Sequence, residues 1–277
     1  MSGIPDGAVV NVVREDPVRR GLRFAGTERA VFMSIDDGDH WQSLRRNMPA
    51  TSIRDLIVKD EDLVVATHGR SFWILDDISL LRHVTPAAPA LFPSDFAWRV
   101  RWSLNTDTPI PQEEPAGQNP VEGVAIDYLL PTTARRVQLE ILSAGGSLVR
   151  RYDSQDVMPA PLADRNIPDY WIRAPQHVAT GAGAHRLQWD ARFPNSPAAA
   201  LSYPIAAVYG DTPAEPRGPR ALPGLYRVRL IVDGVTTERP LRLRMDPTVH
   251  VTQATLEAQH TLAMLLNEAL TRASVVA

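Results

Sequence analysis

Apolar and polar positions alternate along much of the chain with a period of two, the spacing of strands that bury one face. Early runs fall at 9–14 and 53–59, each followed by two further runs, within 22–36 and within 63–77. Later runs fall at 124–130, 136–143, 148–153, 185–189, 226–232 and 236–245, with Tyr226, Val228, Leu230 and Val232 on one side of their strand. Two pairs of these later runs are joined by hairpin turns, AGG after Ser143 and Asp233-Gly234. The spacing predicts a sandwich of about seven short strands. At the C-terminus the period changes. Leu256, Ala263, Leu266 and Leu270, with Leu262 and Ala269 beside them, form the apolar stripe of a helix from 253 to about 273. Val251 and Thr252 ahead of Leu256 give it a hydrophobic-staple start. The helix is expected to dock on the sandwich, with a partner helix as the alternative. The predicted class is all-β with one C-terminal helix.

The first third repeats itself. Residues 22–36, LRFAGTERAVFMSID, match residues 63–77, LVVATHGRSFWILDD, at an offset of 41, with Leu, Ala, Arg and Asp coinciding and apolar positions facing apolar positions. That offset lies within the ~40–45 residues of a four-stranded propeller blade. Each copy reads as a meander of strands. The first copy continues as SIDDGDHW, residues 34–41, where Asp36 can accept backbone N–H groups, Gly38 can take positive φ and Trp41 can cover the turn. Such a clip is structural in itself.

SIDDGDHW resembles the Asp-box, or BNR repeat, S-x-D-x-G-x-T-W, with Ser34, Asp36, Gly38 and Trp41 at its positions and His40 where threonine is usual. The wider run FAGTERAVFMSIDDGDHW with DLVVATHGRSFWILDDIS is similar to the last two blades of the sortilin-like BNR-repeat β-propellers, often labelled glycosyl hydrolases in bacteria. The resemblance covers residues 1 to about 83. It implies that residues 1–85 are two terminal blades of a partial β-propeller, the C-terminal piece of a longer propeller whose preceding blades lie outside this sequence. Two blades cannot close a ring, so residues 1–83 are expected to be marginally stable alone or to self-associate. GAHRLQWDARF and LPGLYRVRLIVDG resemble the FlgD-type Ig-like sandwich. That resemblance implies an appended scaffold or adhesive module without catalytic residues over 121–250, reached by a Pro-rich crossover at 86–120 and followed by the helix at 251–277. The related proteins continue past this helix.

Composition agrees with this organisation. Proline is abundant, 24 in 277 residues, and clusters between the β-branched runs, where helices are excluded. Of the 29 basic residues all but Lys59 are arginine, yet they are scattered and balanced by 32 acidic residues for a net charge of −3. No basic stripe for nucleic acid is present. The N-terminus MSGIPDGAVV has neither the basic nor the apolar region of a signal peptide. The longest apolar stretch, 198–209, is too short to span a membrane and contains Pro204. The absence of cysteine removes disulfides, thiolate metal sites and cysteine nucleophiles.

Candidate chemistry is sparse. Catalysis in sialidases, which also carry Asp-boxes, needs an arginine cluster, a tyrosine nucleophile and acidic partners near the propeller axis, and two blades cannot assemble these. Asp36 and Asp37 read as turn formers. The pairs Asp76 with Asp77, Glu113 with Glu114, and Asp60 with Asp62 read as turn or solvated residues. His68 and Arg70, in the turn of ATHGRSFW, are the possible ligand rim; no serine or cysteine nucleophile motif accompanies them. The remaining histidines show no metal-ligand spacing, and neither a metal nor a cofactor is implied. Trp41, Trp73 and Trp189 read as core. Trp98, Trp102, Tyr170 and Trp171, in loops, are the possible glycan-stacking residues.

The sequence therefore reads as a non-catalytic interaction or scaffold fragment of a BNR-repeat propeller protein. Its expected partners are the remaining blades or a second copy, with a glycan or peptide as possible ligand. The first alternative is a piece of a glycoside-hydrolase-like enzyme whose active site lies mainly in other blades, with His68 and Arg70 at its rim. The second is a peptide-binding propeller of sortilin type. Extracytoplasmic location is implied for the related large proteins.

Overall fold

A computed structural model describes residues 2–83, 88–93, 96–101, 122–204 and 208–276. The described residues are all-β with a single C-terminal α-helix, and the chain divides into two compact units, Met1–Pro86 and Ala87–Ala277.

The first unit holds two antiparallel meanders. One contains β1 (Val10–Glu15), β2 (Arg23–Thr27), β3 (Val31–Ser34) and β4 (Gln42–Ser43) in that spatial order. The other contains β5 (Ile53–Lys59), β6 (Asp62–Thr67) and β7 (Phe72–Leu75), and ends in a 3-10 turn at Ser79–His83 rather than a fourth strand. One face of the first sheet packs on one face of the second. Phe24, Val31 and Met33 from one side meet Ile53, Leu56, Leu63 and Val65 from the other in a shared core.

The structural repeat departs from the ungapped match by one residue. β3 and β7 correspond at the offset of 41, but the register Phe24↔Met33 is matched by Val64↔Ile74, so β2 and β6 correspond at an offset of 40. The extra residue lies in the turn, Thr27 to Ala30 in the first copy and Thr67 to Ser71 in the second. Both turns are clipped alike. Thr27 Oγ1 accepts from Ala30 N at 3.1 Å and donates to Ala30 O at 3.0 Å, while Thr67 Oγ1 accepts from Arg70 N at 3.1 Å and donates to Ser71 O at 2.6 Å. Because side chains alternate along a strand, the one-residue shift reverses which of two neighbouring residues faces the core.

The second unit is a sandwich of two sheets. One contains β8 (Ala90–Pro93), β10 (Val124–Leu130) and β13 (Gly183–Trp189), with β10 central. The other runs β12 (Leu148–Asp153), β11 (Val137–Ser143), β14 (Gly224–Val232), β15 (Val235–Met245) and β9 (Phe96–Arg99). Alternate residues of both sheets, among them Ile126, Tyr128, Leu139, Val228 and Leu230, close on Trp189, which is fully buried. β8 and β9 arise within the segment expected to be a strandless crossover. Leu91 is driven into the core, and Pro93 is tolerated because β8 is an edge strand. β9 adds parallel to β15 at the far edge of the other sheet.

The helix, α1 (Gln253–Val276), starts where expected, with Thr255 N donating to Thr252 Oγ1. Its docked face differs from the expected stripe. Leu256 is buried, but Leu262, Leu265, Leu266 and Leu270 are exposed. Docking instead uses polar anchors: Asn267 Oδ1 accepts from Ser196 N at 2.8 Å, and His260 Nδ1 lies 2.9 Å from Arg220 O. Hydrogen bonds to loop backbone, which no apolar periodicity records, set the rotation of the helix.

Candidate functional site

Ser34, Asp36, Gly38 and Trp41, the residues compared above with an Asp-box, form one closed clip after β3. Ser34, at the end of the strand, donates from Oγ to Asp36 Oδ1 at 2.8 Å and accepts from Gly38 N at 2.9 Å. Asp36 accepts from His40 N at 2.9 Å and meets His40 Nδ1 at 2.6 Å. The His40 backbone N–H, followed by the Ser34 hydroxyl and the imidazole, holds the Asp36 carboxyl far below the usual carboxylate range. Asp37 and Gly38 take φ of 65° and 96°, and Trp41 Nε1 donates to Gly38 O at 2.9 Å, so the indole lies over the turn. His40 bonds the Asp36 carboxylate through both its backbone N–H and its ring. The clip also grips the chain start: Trp41 N donates to Ser2 O, and a Cβ at Gly3 would lie 1.8 Å from Trp41 O. The Ser34 hydroxyl, the Asp36 carboxylate and the Trp41 N–H are all engaged in holding the clip.

In the second copy Asp77, at a φ of 54°, plays a related part. It accepts from the backbone N–H of Ser79 at the start of the 3-10 turn, while its own N–H donates to Asp62 Oδ1. His68 and Arg70 lie in the β6–β7 turn with exposed side chains that make no hydrogen bond or ion pair among the described residues. Their backbones are fixed: His68 N donates to Ser52 O, and Trp73 Nε1 donates to Arg70 O.

The larger feature of the first unit is a sheet face. Val31 and Met33 of β3, buried by the second sheet, correspond in register to Phe72 and Ile74 of β7, which are 73% and 57% exposed. With Ile57, 48% exposed and in one cross-strand row with Val64 and Ile74, they make an apolar face on β5–β7 that no described residue covers. On the opposite side of the stack, Val10 and Val13 are exposed beside a groove of about 400 Å³ between residues 5–9 and the Thr27 turn.

The described stacking candidates lie on two separate elements. Trp98 lies on β9, 40% exposed, with its ring edge-on to Phe96 at 5.4 Å. Tyr170 and Trp171 lie in a 3-10 turn, Asp169–Trp171, where Tyr170 is exposed beside Tyr209 and Trp171 packs on a small cluster with Ile167 and Tyr203. Trp102, like Glu113 and Glu114, falls outside the described residues.

Ion pairs that sequence reading missed occupy the second unit. Glu122 is buried between Arg217 and Arg220, with Arg173 at 3.6 Å. Burial acts to raise its pKa, but the hydrogen bond and charge of Arg217, with Arg192 and Arg173, hold it below the ordinary value. Arg192 is itself pushed down to about 10 by burial and by Arg217 and Arg220. Asp127 is paired with Arg186 and Asp153 with Arg136. Each of these carboxylates is paired with a guanidinium, an arrangement suited to fixing loops and strands rather than to proton transfer. No group of acidic, histidine or cysteine side chains suited to a metal occurs among the described residues, and none of their helices is long and apolar enough to cross a membrane.

The chain matches no family model, no curated protein and no solved structure.

Proposed function

We propose that this chain is a non-catalytic interaction and scaffold piece of a BNR-repeat β-propeller protein, in which the first unit supplies two stacked blades and the second an Ig-like sandwich. The observation that carries the reading is the uncovered face of β5–β7. Its register equivalents in the first sheet are buried by the back of the second sheet, so the occupant that fits is the back of a further meander of the same repeat. Exposed phenylalanine and isoleucine in one contiguous sheet face mark an interaction surface. The Asp-box supports the reading as a repeat signature and offers no free chemistry. Light scattering after size-exclusion chromatography tests it. The chain is expected to run above its 30.6 kDa monomer mass, because the β5–β7 face of one copy can meet the exposed Val10 and Val13 on the opposite side of the next, and Phe72→Lys with Ile74→Lys is expected to return it to a monomer. A chain that stays monomeric at all concentrations, with or without those substitutions, contradicts the proposal.

A further inference from the structure

We propose that the outer face of β15 and β9 binds an anionic polysaccharide, with Trp98 as the stacking surface and Arg244 and Arg242 as the anion ligands. This deepens the reading of the chain as a non-catalytic binding module and rests on it. The outer face of the five-stranded sheet has two halves of different character. Across β11, β14 and the first half of β15 the charges neutralise one another: Arg229 pairs with Glu140 at 3.0 Å and with Glu238 at 2.6 Å, and Arg227 with Glu238 at 3.3 Å. On the second half of β15 and on β9 they do not. Arg242 and Arg244 are exposed and make no ion pair among the described residues.

Register places these side chains together. Leu225, Arg242 and Phe96 form one cross-strand row, and Arg244 and Trp98 form the next. Leu225 of the central strand is 54% exposed, and Phe96 and Trp98 of the edge strand are 39% and 40% exposed. The Arg244 guanidinium stacks 4.2 Å over the Phe96 ring and lies 5.9 Å from that of Trp98. Stacking occupies the flat face of a guanidinium and leaves the N–H groups at its rim free, so Phe96 holds Arg244 ready for a carboxylate or sulfate. The indole of Trp98 offers an apolar plane to the C–H face of a sugar ring beside that cation. A flat site with an aromatic plane and two unpaired cations suits a chain carrying one acidic group per sugar. Nucleic acid needs a longer track of cations, and the neighbouring arginines are already neutralised.

The test is affinity electrophoresis of the full chain through gels containing polygalacturonate, heparin or a neutral glucan, with a single-stranded oligonucleotide as competitor. Retardation by an acidic polysaccharide is expected, weakening as salt rises. Trp98→Ala and Arg244→Gln should each reduce affinity by about fivefold, or ~1 kcal/mol, with unchanged thermal unfolding because both side chains are exposed. Trp98→Phe should restore most of the loss. Retardation by neutral glucan alone, equal migration of the variants and the parent, complete displacement by the oligonucleotide, or no retardation at all would each overturn the proposal. Migration is read on the second unit and mass on the first, so failure of self-association leaves this result standing, and the reverse.

Discussion

Gly26 of the first meander lies against Ile53 of the second, and replacing it with alanine tests whether they pack as described. Its φ is not positive, so alanine meets no backbone penalty; in open surroundings the substitution would stabilise by about 0.4–1 kcal/mol through the unfolded chain. The surroundings are not open. A Cβ at Gly26 would sit 2.6 Å from Ile53 Cγ2, 2.8 Å from Val12 Cγ1 and 2.9 Å from Ile53 Cβ. Ordinary carbon contacts are ~3.5–4.0 Å, so the sheets must part by about 1 Å or Ile53 must leave its rotamer. Ile53 is β-branched and fully buried, and it cannot turn freely. A 2.6 Å contact with a side chain that cannot turn falls in the upper half of the ~1–3 kcal/mol that overpacking costs; about 2–3 kcal/mol less the gain in the unfolded chain leaves a net loss of about 1–2.6 kcal/mol. For a unit of this size that lowers the melting temperature by roughly 4–21 °C. Scanning calorimetry of the full chain reads it, with the first-unit transition moving and the second-unit transition fixed. Gly181→Ala, where nothing lies within 4 Å of the added carbon, is the control. A neutral or stabilising effect of Gly26→Ala would refute the close approach of the sheets.

Three further outcomes are expected. Ser34→Ala leaves the Gly38 N–H without its acceptor and removes one of the donors to Asp36, so the first-unit transition should fall by the equivalent of about 1–2 kcal/mol. Asp153, buried and pulled down to about 2 chiefly by its hydrogen bond from Arg136, contributes roughly 2 kcal/mol above the ordinary carboxylate pKa; that stability should disappear as pH falls from about 4 toward 2, and Asp153→Asn should flatten this part of the acid-unfolding curve. Asn267→Ala removes the two polar anchors of α1 at Ser196 and Pro194. Its amides should then exchange about fivefold faster, for a loss of ~1 kcal/mol.

Strand positions and turn chemistry were legible because they are local. The alternation of Tyr226 to Val232, the Asp233-Gly234 turn and the Asp-box clip each follow from residues a few positions apart. Facing was less legible. A single extra residue in the Thr67 turn reverses which side of β6 matches β2, and an ungapped comparison aligns Phe24 with the buried Val65 instead of the open Val64. The β8 and β9 strands were hidden because they are short, Pro-flanked edge strands whose partners lie far along the chain. Long-range pairing also conceals the guanidinium of Arg244 beside Trp98 and the arginines around Glu122. No periodicity in α1 signals Asn267 as an anchor, and its leucines, the strongest local signal, point to solvent.

The uncovered face of β5–β7 is tested most directly by thiol labelling, since the chain has no cysteine of its own. Met33→Cys and Ile74→Cys place single thiols at register-equivalent positions, 8% and 57% exposed in the parent. The stacking described here predicts that the thiol at 74 reacts at the rate of a free thiol in dilute solution and becomes protected as rising concentration drives assembly, while the thiol at 33 is protected throughout. Equal reactivity at the two positions in dilute solution, or a rate at 74 that stays constant while the mass increases, would contradict it.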